Sequence, residues 1–85
     1  MHMTDADIEA LTRRRWGATI RQARSRMDLN QDEFRYHFDP PVSQSTIQRW
    51  EAGQVEPRIR HRLQMARIFG VPASVLFPLM DVIAA

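Results

Sequence analysis

The sequence predicts an all-α fold, a compact bundle of four or five short helices. Three observations predict it. Apolar residues recur at spacings of three to five along most of the chain, as on one face of a helix. Cap-forming residues precede these stripes, and Gly or Pro follows them. No stretch shows the convincing apolar/polar alternation of a half-buried strand. With 85 residues and no cysteine, the chain makes one small domain that depends on helix packing, without disulfides or a thiolate metal site.

Thr4, with Asp7 three residues on, has the pattern of a capping box, and Asp5 and Glu9 suit the positive end of a helix dipole. Ile8, Leu11, Trp16, Ile20, Ala23 and Met27 continue that helix as its apolar stripe. Gly17 is a weak point, so the segment reads either as one long helix or as two joined there. Asn30 and Glu33 form a second capping box, opening a helix from about Gln31 to Phe38 with Phe34 and Phe38 on one side. Pro40 disfavours helical geometry at Asp39, and Pro41 extends the break. Ser43 caps a third helix, 43–52, which Gly53 ends. Pro57 suits the first turn of a fourth, running through Leu63, Ala66 and Phe69 to Gly70. Pro72 opens a short fifth helix and Pro78 closes it. The expected division is a helical extension over 1–12, the domain over 13–78 and an apolar tail over 79–85.

The net charge of +2 hides an uneven distribution. Arg13 to Met27 carries six arginines and no acid, and Pro57 to Arg67 four arginines and no acid. Between them, Asp28 to Glu56 carries six acids and two arginines. Solvated helix faces explain such blocks, and so does a polyanionic partner. No apolar run reaches the roughly 18 residues of a membrane span, and a cytoplasmic protein is expected. His2, His37 and His61 show no metal spacing. There is no glycine-rich phosphate loop and no nucleophile–base pattern, so neither an enzyme nor a cofactor nor a small-molecule ligand is expected.

The informative stretch is Ser43 to Trp50. At about 100° per residue, Ser43, Ile47 and Trp50 fall within roughly 60° of one another and can bury against the rest of the bundle. Ser45, Gln48 and Arg49 lie on the other side, with Gln44 on its flank, and no acid interrupts this face before Glu51. Gln can bond adenine N6 and N7 as a pair, Arg guanine O6 and N7, and Ser either donates or accepts. An ordinary amphipathic surface helix would look similar in isolation. The short capped helix before it and the basic segments on either side favour a reader of the DNA major groove.

In order and spacing the chain resembles the lambda-repressor/Cro-like (XRE-type) helix-turn-helix family of bacterial and phage regulators. The resemblance spans Trp16 to Phe77. Its pieces are Ile20-Arg21 with Ala23-Arg24, Leu29 to Phe34, Val42 to Ile47, Trp50 to Gly53, Pro57, Leu63, Ala66, Phe69 to Pro72, and Leu76-Phe77. It implies five helices, with helices two and three forming the DNA-binding unit. It makes Gln44, Ser45, Gln48 and Arg49 the base-edge candidates. Asn30 and Gln31, at the start of helix two, become phosphate candidates, as do Arg58 and Arg60 on helix four, with Arg62 beside them. Arg24 and Glu51 match positions that pair as ions inside family members. The implied partner is double-stranded operator DNA, bound by a homodimer, with monomeric binding left open. The tail and the face around Leu76-Phe77 are candidate dimer surfaces, or else simply close the core.

Two features depart from the family pattern. Arg35 stands where a small residue is usual, and the turn Phe38-Asp39-Pro40-Pro41-Val42 is about two residues longer than usual and lacks glycine. The longer loop is expected to make room for Arg35, which otherwise turns outward to a phosphate. The same fold can also serve as a protein-interaction module, an antitoxin-like regulator, or a phage DNA-architecture or recombination factor.

Overall fold

The computed structural model describes residues 2–79. Five helices follow in order: α1 Asp5–Arg26, α2 Gln31–Arg35, α3 Gln44–Glu51, α4 Ile59–Phe69 and α5 Ala73–Leu76. The described residues contain no strand. None of the helices is long and apolar enough to cross a membrane.

α1 starts at the Thr4 box, where the Asp7 amide donates to Thr4 Oγ1 and the Thr4 amide to Asp7 Oδ2, each at 3.1 Å. These bonds favour the charged carboxylate and hold the Asp7 pKa below its ordinary value. The helix then runs unbroken through Gly17, which is a contact point rather than a break. A Cβ there would meet the Trp50 carbonyl oxygen and, at 2.7 Å, the Glu51 carbonyl oxygen. The missing side chain lets α1 and α3 approach backbone to backbone. α1 ends with Asp28 at φ 56°. The Asp28 amide donates to Ser25 O (3.0 Å) and the Leu29 amide to Arg24 O (3.3 Å), which satisfies the last carbonyls in a Schellman pattern.

Three expectations change. α2 ends at Arg35, not Phe38. Tighter bonds from the His37 amide to Phe34 O and from the Phe38 amide to Arg35 O replace helical ones one turn ahead of the prolines, and Phe38 is buried. α4 begins at Ile59, with Arg58 at its N-cap. Pro57 precedes the cap as a fully buried side chain instead of occupying the first turn. Met27 and Leu63, both read into apolar stripes, are 39% and 50% exposed. Met27 caps α1 beyond its last helical residue, and Leu63 lies on the outer side of α4, away from Met65.

The core is Trp16, Ile20, Phe34, Phe38, Ile47, Trp50, Met65, Leu76 and Phe77. Phe34 packs edge-on to Phe38 and stacks on Phe69. The Trp16 ring meets Phe77 edge-on, and its Nε1 donates to Pro78 O at 2.8 Å, which fastens the end of the bundle to α1. Leu76 and Phe77 are only 4% and 5% exposed and close the core, while Val75 and Leu79 beside them are 64% and 86% exposed. The rest of the expected dimer surface, Val82 to Ala85, lies outside the described residues.

Candidate nucleic-acid interface

Ser43 sets the start of α3 by accepting a hydrogen bond from the Thr46 amide at 3.0 Å. Ile47 and Trp50 are buried at 0% and 2% exposure. With that face held, Gln44, Ser45, Gln48 and Arg49 are all exposed. Gly53, at φ 72°, stops the helix. Its Cα sits so close to Arg14 that a Cβ would come within 2.9 Å of the Arg14 Cα, and Arg13 Nε donates to its carbonyl at 3.2 Å. No local pattern in the sequence connects Arg13 to this turn, because the contact depends on how α1 crosses α3.

A polar network behind the exposed face joins three helices. Arg24 Nε donates to Glu51 Oε2 at 2.7 Å and Arg24 Nη2 to Oε1 at 2.9 Å. Arg24 Nη1 donates to Leu29 O at 2.8 Å. The Glu51 side chain is 6% exposed and that of Arg24 13%. The hydrogen bonds to Glu51 raise the Arg24 pKa further, against the cost of burial. Gln31 Nε2 also donates to Glu51 Oε1, at 3.0 Å. Gln31 therefore braces the ion pair, a role its position at the start of α2 did not announce.

The other expected phosphate residues are placed unequally. The Asn30 carboxamide oxygen accepts from the Glu33 amide at 2.7 Å as the α2 cap, on an exposed residue. Arg58 and Arg60 are exposed at the start of α4, whose first turn contains no acid. Arg62 turns inward instead. Its guanidinium lies 5.0 Å from the Trp16 ring centre and 3.8 Å from Glu56 Oε1. Arg35 is not sealed between α2 and α3, for 27% of its side chain is exposed. It folds along the loop and donates from Nε to Val42 O at 2.9 Å. His61, between the Phe38 and Trp50 rings, has its pKa lowered by burial first and by the Arg60 and Arg58 charges second.

A helix-turn-helix family model matches residues 20–76. The chain belongs to the lambda-repressor/Cro-like helix-turn-helix family. The matched span takes in the second part of α1 and all of α2 to α5, so in this helix-turn-helix protein the first turns of α1 precede the shared domain. It is a DNA-binding regulatory domain. No curated protein and no solved structure matches the chain.

Proposed function

We propose that this helix-turn-helix protein is a sequence-specific transcriptional regulator of the bacterial or phage repressor type, which occupies an operator and reads its major groove with α3. One observation carries this reading. Gln44, Ser45, Gln48 and Arg49 stand exposed together on a helix whose opposite face, Ile47 and Trp50, is locked into the core. A buried anchor and an acid-free outer face of bidentate-capable side chains fit recognition of base edges. Asn30, Gln31, Arg58 and Arg60 supply the backbone contacts that set affinity and register. α3 alone spans only a few base pairs, which favours two copies on an inverted repeat with half-sites about one helical turn apart.

The test is selection of a preferred duplex from a random pool, followed by salt titration of that duplex and of a random one. The log of affinity for both is expected to fall linearly with log salt, with the selected duplex bound at least about 10³-fold more tightly. Equal affinity for the two at every salt concentration would overturn the reading.

A further inference from the structure

The loop between α2 and α3 is held at three points. Phe38 is plugged into the core against Phe34 and Trp50. Gln64 Nε2, from α4, donates to Asp39 O at 3.3 Å. Arg35, the last residue of α2, donates from Nε to Val42 O at 2.9 Å. Val42 immediately precedes Ser43, the cap that starts the reading helix. The Arg35 side chain thus spans the loop from its first end to its last.

The guanidinium is also oriented. Its carbon lies 4.5 Å from the centre of the Tyr36 ring, and Nη1 is 3.8 Å from Asp32 Oδ1. A planar cation stacked on an aromatic ring loses rotational freedom. The Nε–H bond, which runs in the guanidinium plane, is then fixed in direction. Lysine has a charge but neither the plane nor a donor at that place along the side chain.

We propose that Arg35 is a positioning residue for DNA reading, one that sets the start of α3 and so determines specificity without touching DNA. This rests on α3 being the reading helix. Bidentate contacts to bases tolerate little misalignment, and each contributes roughly 5- to 150-fold in discrimination. Releasing Val42 lets the Ser43 end of α3 shift, so the contacts from Gln44 and Ser45 weaken first. Affinity that comes from phosphates elsewhere is untouched.

The experiment compares R35K and R35M with the wild type on a selected duplex and a random one across a salt series. As a positioning residue, Arg35 gives a loss of about tenfold or more in the selected-to-random ratio for both variants. R35K leaves random-duplex affinity and the salt slope unchanged. If Arg35 instead binds a phosphate, R35K keeps the ratio and R35M weakens both duplexes alike, with the slope falling by about 0.9; that result overturns the proposal. Amide exchange on the same proteins guards against loss of fold. Faster exchange confined to the Thr46 and Ile47 amides, which donate to Ser43, supports the clamp, whereas equal acceleration at Ile20 and Met65 overturns it. Should R35M not fold, R35K alone decides. A wild type that prefers no duplex removes the DNA-reading assignment and the clamp with it, whereas a discriminating wild type with unchanged variants removes the clamp alone.

Discussion

Arg24 on α1 and Glu51 on α3 form a two-pronged ion pair, with Nε to Oε2 at 2.7 Å and Nη2 to Oε1 at 2.9 Å. Both side chains are largely withdrawn from water, and Leu29 O and Gln31 Nε2 use further hydrogen-bonding capacity of the pair. Removing one partner strands the other charge. Glu51→Ala is therefore expected to destabilise the fold by about 3 kcal/mol, read as a lower urea midpoint. The double variant Arg24→Met with Glu51→Leu is expected to recover most of that loss, because the isolated charge is gone and apolar volume replaces it. A double variant as unstable as Glu51→Ala would show that α1 and α3 need the hydrogen bonds themselves.

Gly17 offers a test whose sign is the reverse of the usual one. In an open helix, Gly to Ala stabilises by about 1 kcal/mol. At Gly17 the new methyl group meets the Trp50 and Glu51 carbonyl oxygens, backbone atoms that cannot swing aside. Gly17→Ala is expected to destabilise by about 1–3 kcal/mol, as overpacking does. Thermal denaturation decides it, and a raised midpoint would mean that α1 and α3 are farther apart than described.

The fold was legible in the sequence wherever a local rule decides the structure. The Thr4, Asn30 and Ser43 caps all form, because each needs only an oxygen three residues from an amide. Ile47 and Trp50 are buried as their spacing predicts. A residue's part stayed hidden where a distant contact sets it. Gly17 read as a weak helix position because its partner lies more than thirty residues away in α3. Arg62 read as a phosphate candidate beside Arg58 and Arg60 because its partner ring belongs to Trp16, far off in the sequence. Gln31 read only as a phosphate candidate, and its added link to Glu51 was hidden because it depends on how α2 crosses α3. The outward face of α3 was legible throughout, since helical periodicity alone separates it from the anchors.

His61 makes stability depend on pH near neutrality. Burial, then the Arg60 and Arg58 charges, hold its folded-state pKa below the ordinary 6.5. Above about pH 6.5 the ring is neutral in both folded and unfolded chains, and its contribution is whole. As the pH falls from 6.5 through the lower folded value, the unfolded chain takes up the proton first, and stability is lost. The urea midpoint is expected to drop between pH 7.5 and 5.5, with a smaller drop in His61→Gln. An equal drop in the two proteins would place the dependence on another group.

Arg49 and Arg58 separate reading from holding. Both are exposed arginines, but Arg49 lies on the outer face of α3, whereas Arg58 caps α4 beyond the reading helix. Arg49→Ala is expected to cost about 1–3 kcal/mol on the selected duplex and to relax the preference at one operator position. Random-duplex affinity should change much less. Arg58→Ala is expected to weaken selected and random duplexes alike and to reduce the salt slope by about one. Competition binding of each variant against single-position operator substitutions measures both effects. If Arg49→Ala left affinity and sequence preference intact, base reading would have to be moved off this face of α3. If Arg58→Ala changed preference at one base pair while leaving the slope alone, the start of α4 would be a reader and not a holder.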